Sequence, residues 1–300
     1  MRTRREIAER VLQYLRRPAD EIRLAMLGTE ESWHVVDRRF SMWINPSDLM
    51  DQMFVLGSYD PLVVQMIAKW IRAGDCCVDV GAHKGYVTHH LAYGVGPSGI
   101  VHSFEPDPNV RPILETNARH NGFGQVKVHP FALGREETRM RYFLSKQSGW
   151  SSMFPNQMAA AQIDREIEIQ VKTFDGLVRD GTMQVIPDRF RFVKMDCEGA
   201  EPLVLQGMQE TLERTSAVLW VEVNDGSLRA AGSDVDDIRR FLADRGYRLF
   251  LPWTRSLVQR QIVLRETRVL VRGCESYDAV AVRSERIPEL RERGIRVEEL

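Results

Sequence analysis

Cys77-Val78-Asp79-Val80-Gly81-Ala82-His83-Lys84-Gly85-Tyr86 decides how the rest of this 300-residue chain is read. An apolar run ends in an acidic residue, and two glycines then open what reads as a helix. That is a strand, a tight turn and a helix N-terminus, the start of a nucleotide-type α/β site. Gly81 lets the turn bend, and Gly85 lets a ligand or a strand approach the backbone closely. A dinucleotide fingerprint wants G-x-G-x-x-G, with the helix N-terminus facing a pyrophosphate. Here the pattern is D-x-G-x-x-x-G, and Asp79 puts a negative charge where a phosphate would sit. A ligand carrying an amine or sulfonium suits that crevice better, and S-adenosylmethionine is such a ligand. The plain alternative is a G-x-x-x-G that serves helix–strand packing alone.

Gly99-Ile100-Val101-His102-Ser103-Phe104-Glu105-Pro106 reads as a second strand tipped by a carboxylate. An acidic residue there is placed to grip a ribose diol by paired hydrogen bonds, although a loop carboxylate would look the same. From Gly74 onward strand and helix alternate. Strands are predicted near 76–80, 100–104, 126–130, 138–144, 167–173, 190–196, 217–223, 247–251 and 277–283, and helices near 85–93, 108–120, 175–179, 200–214 and 234–245. Such alternation gives an α/β fold, a doubly wound and mostly parallel Rossmann-like sheet with helices on both faces. Residues 277–283 are expected as an antiparallel edge strand. Pro252 to Ser276 shows no periodicity and reads as irregular.

Ahead of that domain, residues 5–16 carry Ile7, Val11, Leu12 and Leu15 on one stripe, an amphipathic helix ended by Pro18. Trp33 to Ile44 reads as a hairpin, and Asp60-Pro61 caps a helix from Leu62 to Ile71. The expected division is 1–55, a helix-plus-hairpin extension, and 56–300, the main domain. An apolar content of 43% suits a globular chain, and a net charge of −1 disfavours nucleic-acid binding, which needs a basic face. Four cysteines form no C-x-x-C pair, and no apolar stretch is long enough to span a bilayer, so a reduced, cytoplasmic and membrane-free protein is expected.

A second constellation is Lys194-Met195-Asp196-Cys197-Glu198-Gly199-Ala200-Glu201, a strand end rich in carboxylates. Asp196 falls at the strand tip, the edge where open α/β sheets bind ligands. Glu201 falls in the first helical turn, where a carboxylate favours the dipole. Asp196, Glu198 and His83 are the candidate catalytic residues, the first two because two close carboxylates can raise one pKa and create a base. The strand ending in Glu222-Val223-Asn224 offers a different use: Asp196, Glu222 and Asn224 on neighbouring tips can bind a hard cation such as Mg²⁺. His83 faces the crevice, as a contact to acceptor or cofactor or as a structural histidine. Lys194 is expected to pair with a neighbouring carboxylate. The Ser/Gly loop from Ser145, with Trp150 and Phe154, is either a lid or a surface loop tacked down by those rings.

Asn45-Pro46-Ser47-Asp48, Gly57-Ser58-Tyr59-Asp60, Val78 to Gly85, Phe104-Glu105-Pro106, Asn117 with Asn121-Gly122, Ala132-Leu133-Gly134, Thr173-Phe174-Asp175 and Lys194 to Glu201 occur in that order. Together they resemble the FkbM-type family of S-adenosylmethionine-dependent O-methyltransferases, from about residue 42 to 224. The resemblance implies a class I methyltransferase fold. Asp79, Gly81, Ala82, His83, Gly85, Glu105, Asp196 and Tyr59 would then lie at the cofactor, with the Asp196 to Glu201 motif at the active face. It implies a small-molecule acceptor, a hydroxyl of a sugar, polyketide or other secondary metabolite. Where the family usually carries Asn, a β-branched residue and Val, this chain has His83, Lys84 and Cys197, so acceptor specificity does not carry over. Two other readings are an NAD(P)-linked oxidoreductase, disfavoured by the missing G-x-G-x-x-G, and a non-catalytic module that kept the fold.

Overall fold

A computed structural model describes residues 18–146, 149–154, 162–254, 261–273 and 276–300. The chain forms two compact units, Met1–Pro61 and Leu62–Leu300. The amphipathic helix expected over 5–16 lies outside the described residues.

In the first unit a helix runs over Pro18–Ala25. Proline fits there because the first helical turn needs no amide donor. The hairpin is present as β1 (Ser32–Val36) and β2 (Phe40–Ile44), paired antiparallel from Ser32↔Ile44 to Val36↔Phe40. A helix the sequence reading did not include, Leu49–Leu56, follows, with the Asp48 side chain accepting from Met50 N and Gly57 closing it. This helix and its cap extend the unit to Pro61, past the boundary expected at residue 55.

The second unit carries strands β3 (Cys76–Val80), β4 (Ile100–Phe104), β5 (Val126–His129), β6 (Ala132–Leu133), β7 (Thr138–Ser145), β8 (Ile163–Lys172), β9 (Phe190–Met195) and β10 (Val218–Val223). Beyond these come β11 (Tyr247–Thr254), β12 (Ile262–Thr267), β13 (Tyr277–Arg283) and β14 (Arg296–Glu298). Nine of them form one sheet in the order β14-β12-β11-β13-β10-β9-β3-β4-β5, and β6-β8-β7 form a second. From β5 to β10 every pairing is parallel. The order β5-β4-β3-β9-β10-β13-β11, with one antiparallel strand near its end, is the class I methyltransferase arrangement. Side chains alternate across a strand. Cys76, Val78 and Val80 therefore join the core under Leu177, Leu205, Leu212 and Ile238, while Asp79 meets Thr88 of the helix Tyr86–Val95 on the other face. The sheet is doubly wound.

Three expectations change. Tyr277–Arg283 is antiparallel but internal, bonded to both β10 and β11. Its residues Ala279–Val282 are buried throughout, which suits a strand hydrogen-bonded on both sides. The segment Pro252 to Ser276 is not irregular throughout, since β12 lies within it and pairs with β11. The helix expected over 200–214 is two, Glu201–Gly207 and Gln209–Arg214, interrupted at Met208, whose φ of −120° is not helical. Among the described residues no helix is long and apolar enough to cross a membrane.

Chain direction locates the site. From β3 the chain steps outward to β4 and β5, then returns to lay β9 on the other side of β3. The tips of β3 and β9 therefore flank a topological switch point, where open α/β sheets form their binding crevice.

Candidate active site

The first turn of the site is held by backbone contacts. Gly81 has φ +78°, and a Cβ there would lie 1.8 Å from the carbonyl oxygen of Asp196. The turn after β3 is thus pressed onto the tip of β9, and only glycine fits. The N–H groups of Gly81 and Ala82 both donate to Phe104 O at 3.1 Å, which ties the turn to the tip of β4 as well. Gly85 serves packing: a Cβ there would meet Leu114 at 2.3 Å and the His89 ring at 2.8 Å, both protein side chains. Asp79 is fully buried and accepts from Thr88 Oγ1 at 2.6 Å. Its Oδ1 is buried with no hydrogen-bond partner among the described residues. Burial raises its pKa, opposed by the Lys194 ammonium.

Glu105 stands at the tip of β4 with both oxygens engaged by main chain. Oε2 accepts from His83 N at 2.7 Å and Oε1 from Asp107 N at 2.8 Å. Burial pushes its pKa up to about 7 against the pull of those two N–H donors. His83 sits at φ +50°, a conformation unusual for a non-glycine residue, and this places its N–H on Glu105. Tyr59 belongs to the first unit, where its ring meets Phe54 edge-on with centroids 5.0 Å apart.

The second turn follows β9. Asp196 N donates to Val80 O at 3.0 Å, the reciprocal of the Gly81 contact. Lys194 is buried and donates from Nζ to Asp196 Oδ2 at 2.9 Å, the pairing expected from the sequence. Glu198 occupies the left-handed region at φ +54°, and its Oε2 accepts from Ser227 Oγ at 3.4 Å. Glu201 turns back on the loop, with Oε1 accepting from Cys197 N at 2.8 Å and Oε2 from Gly199 N at 3.1 Å. It therefore shapes the turn and leaves the chemistry to its neighbours. Glu222 on β10 accepts from Ser276 Oγ at 2.5 Å.

Asp196, Glu198 and Glu222 each bring one carboxylate oxygen to within 4.8 Å of the others. Asn224 does not complete the cation set expected with Asp196 and Glu222. Its Oδ1 caps the helix Asp225–Ala230 by accepting from Ser227 N at 3.1 Å, and Glu198 is the third residue of the cluster. The described part of the Ser/Gly loop is tacked down: Met153 and Phe154 pack with Tyr142, Leu144 and Ile169. Sequence reasoning missed Thr88, Ser227 and Ser276, the hydroxyl partners of the acidic groups. Only Ser227, three residues after a capping asparagine, carried a local signal.

The sequence profile described as "Methyltransferase FkbM domain" matches residues 79–249. The hexuronic acid methyltransferase AglP of Haloferax volcanii is 28% identical over 227 residues, 74% of this chain and 76% of that protein. A crystal structure of methyltransferase FkbM from Methylobacillus flagellatus is similar over 88% of this chain and 58% of its own length, with 17% identity and a TM-score of 0.43. SMU.1697c of Streptococcus mutans, solved in complex with SAH, is similar over 74% of this chain and 96% of its own, with 9% identity and a TM-score of 0.41.

Proposed function

This chain belongs to the FkbM methyltransferase family, and we propose that it transfers a methyl group from S-adenosylmethionine to a hydroxyl of a sugar or another small secondary metabolite. The observation that carries the reading is the contact of the two turns. Gly81 seated on the Asp196 carbonyl sets the crevice of Asp79 and Glu105 directly beside the carboxylates of Asp196, Glu198 and Glu222. A cationic cofactor fits the first of these. Asp79 keeps a buried oxygen without a hydrogen-bond partner among the described residues, and Glu105 at the tip of β4 retains lone pairs beyond those facing His83 N and Asp107 N.

When bound, S-adenosylmethionine supplies an electrophilic sulfonium methyl. Glu105 accepts ribose hydroxyls, while Gly81, Ala82 and His83 form the wall of the turn. Asp196 or Glu198 takes the proton of the acceptor hydroxyl, which is a poor nucleophile until it loses it. Lys194 holds Asp196 in place at 2.9 Å. Bringing the acceptor oxygen to about 3–3.5 Å of the methyl is the larger part of the acceleration.

The relative named a hexuronic acid methyltransferase supports sugars as the first acceptors to try. The test is calorimetry with S-adenosylhomocysteine and NADH, followed by incubation with labelled S-adenosylmethionine and a set of glucuronides, glucosides and polyketide alcohols, read by product mass. We expect binding of the sulfur nucleoside and a product heavier by one methyl group on a sugar. Binding of NADH in its place would overturn the reading.

A further inference from the structure

A second connection between the two turns runs through Gly149–Phe154. This segment returns along β7, with Phe143 N donating to Ser152 O at 2.8 Å and Ser152 N donating to Phe143 O at 3.1 Å. Consecutive side chains of an extended segment point to opposite sides, and the two serines here reach different parts of the site. Ser151 Oγ donates to Asp107 Oδ2 at 2.8 Å and accepts from Ser145 N at 3.1 Å. Ser152 Oγ donates to the carbonyl of Glu198 at 3.2 Å and accepts from Phe154 N at 3.0 Å.

Both contacts reach residues with functional neighbours. Asp107 donates its N–H to Glu105 Oε1, and its other carboxylate oxygen accepts from Asn109 N at 2.8 Å. Fixing Asp107 therefore fixes one of the two donors that orient Glu105. Glu198 is in the left-handed region, so holding its carbonyl sets the direction in which its carboxylate leaves the chain. Beneath the serines, the buried Tyr142 hydroxyl donates to Ser151 O at 3.2 Å. The apolar anchors of the segment, Met153 and Phe154, pack with Leu144 and Ile169. The serine hydroxyls are thus not what fastens the loop to the protein, and each spends its one donor and an acceptor lone pair on these contacts.

We propose that Ser151 and Ser152 form a two-sided clasp that positions Glu105, through Asp107, and Glu198 relative to each other, so that filling the cofactor crevice stiffens the catalytic turn. The proposal rests on the assignment of Glu105 to the cofactor and Glu198 to the acceptor made above. The serines are positioning residues and touch neither ligand.

Hydrogen exchange on the full chain tests it, comparing wild type, S151A, S151T and S152A with and without S-adenosylhomocysteine. Without ligand, S151A should speed exchange in the peptide spanning 105–109, and S152A in that spanning 196–201, each about tenfold. In wild type, saturating S-adenosylhomocysteine should slow exchange in both peptides. In S152A it should slow only 105–109. S151A should bind the ligand about tenfold more weakly, and S151T should restore the affinity. Protection of 196–201 in S152A equal to that in wild type would overturn the clasp, as would unchanged exchange in both unliganded variants. A wild-type protein that does not bind S-adenosylhomocysteine fails in a different arm: it overturns the cofactor assignment and the ribose half of the proposal with it.

Discussion

The two strand-tip turns of this methyltransferase solve the same problem by different means. Each follows a buried parallel strand, opens a helix and contains one non-glycine residue in the left-handed region, His83 in the first and Glu198 in the second. In the first, the carboxylate that organises the turn comes from the neighbouring strand, because Glu105 receives the N–H of His83. In the second it comes from the turn's own helix, because Glu201 receives the N–H groups of Cys197 and Gly199. A turn organised from outside can respond when the outside group meets a ligand. A turn organised from within keeps its own frame, a platform on which Asp196 and Glu198 stand and which the crevice reaches through Ser152 on the Glu198 carbonyl.

The largest effect is expected where the two turns touch. Gly81→Ala places a Cβ 1.8 Å from the Asp196 carbonyl oxygen at a φ of +78°, so backbone must move on both sides. A stability loss of roughly 2–5 kcal/mol follows from strain and overpacking together. Urea unfolding measures it, and a variant with wild-type stability would show that the turns are not in contact.

Next comes the separation of the two carboxylates. Glu105→Ala should weaken S-adenosylhomocysteine binding by about 1–3 kcal/mol, the scale of lost charged hydrogen bonds. Glu201→Ala leaves buried N–H groups without an acceptor and should lower stability by a similar amount, with the nucleoside affinity of the folded protein nearly unchanged. Calorimetry alongside thermal unfolding distinguishes them. Equal loss of affinity in both would collapse the distinction between a turn organised from outside and one organised from within.

A pH series sharpens the same contrast. Burial lifts Glu105 to about 7 from an ordinary 4.5. The folded protein therefore holds this proton more tightly than the unfolded chain, and the associated stability is full below about pH 4.5 and lost as pH rises through about 7. Affinity for the cofactor should move the other way, because the ionised carboxylate is the better acceptor of ribose hydroxyls. An increase of about five- to tenfold in S-adenosylhomocysteine affinity between pH 6 and 8 is expected, flattened in Glu105→Gln. A flat wild-type profile would place the ribose elsewhere.

Much of this was readable from the chain, for a physical reason. Strands β3, β4, β9 and β10 are apolar runs closed by an acidic or glycine-rich tip, so position and chemistry are written in the same few residues. Strand β12 was not readable. Its apolar half, Ile262-Val263-Leu264, runs straight into Arg265-Glu266-Thr267 with no alternation, and three-residue β14 is too short to carry a pattern. Within the site, the carboxylates announced themselves and their holders did not. Ser151, Ser152 and Ser276 lie far along the chain from Asp107, Glu198 and Glu222, and a lone serine has no spacing to recognise. Asn224 misled for the opposite reason, since an oxygen-bearing side chain at a strand tip is equally a helix cap, and the cap is what it is.

The smallest effect expected is none at all, on adding a chelator. If the second turn is a platform for a carboxylate base, one oxygen of each carboxylate that a divalent cation would need is already held. Lys194 Nζ is on Asp196 Oδ2, Ser227 Oγ faces Glu198 Oε2, and Ser276 Oγ is on Glu222 Oε1. Asn224, the neutral oxygen of the expected set, faces Ser227 N. A magnesium ion demands near-octahedral oxygens at about 2.0–2.1 Å, and it would have to settle beside the Lys194 ammonium. We therefore expect methyl transfer to be unchanged by EDTA and to rise with pH as the base ionises. Asp196→Asn should lower kcat by about 10²–10⁴-fold, the range for a lost general base, with Glu222→Gln having a much smaller effect. Activity abolished by EDTA and restored by Mg²⁺, with Glu222→Gln raising the metal requirement, would turn the platform into a cation site and give Asp196, Glu198 and Glu222 the role of ligands.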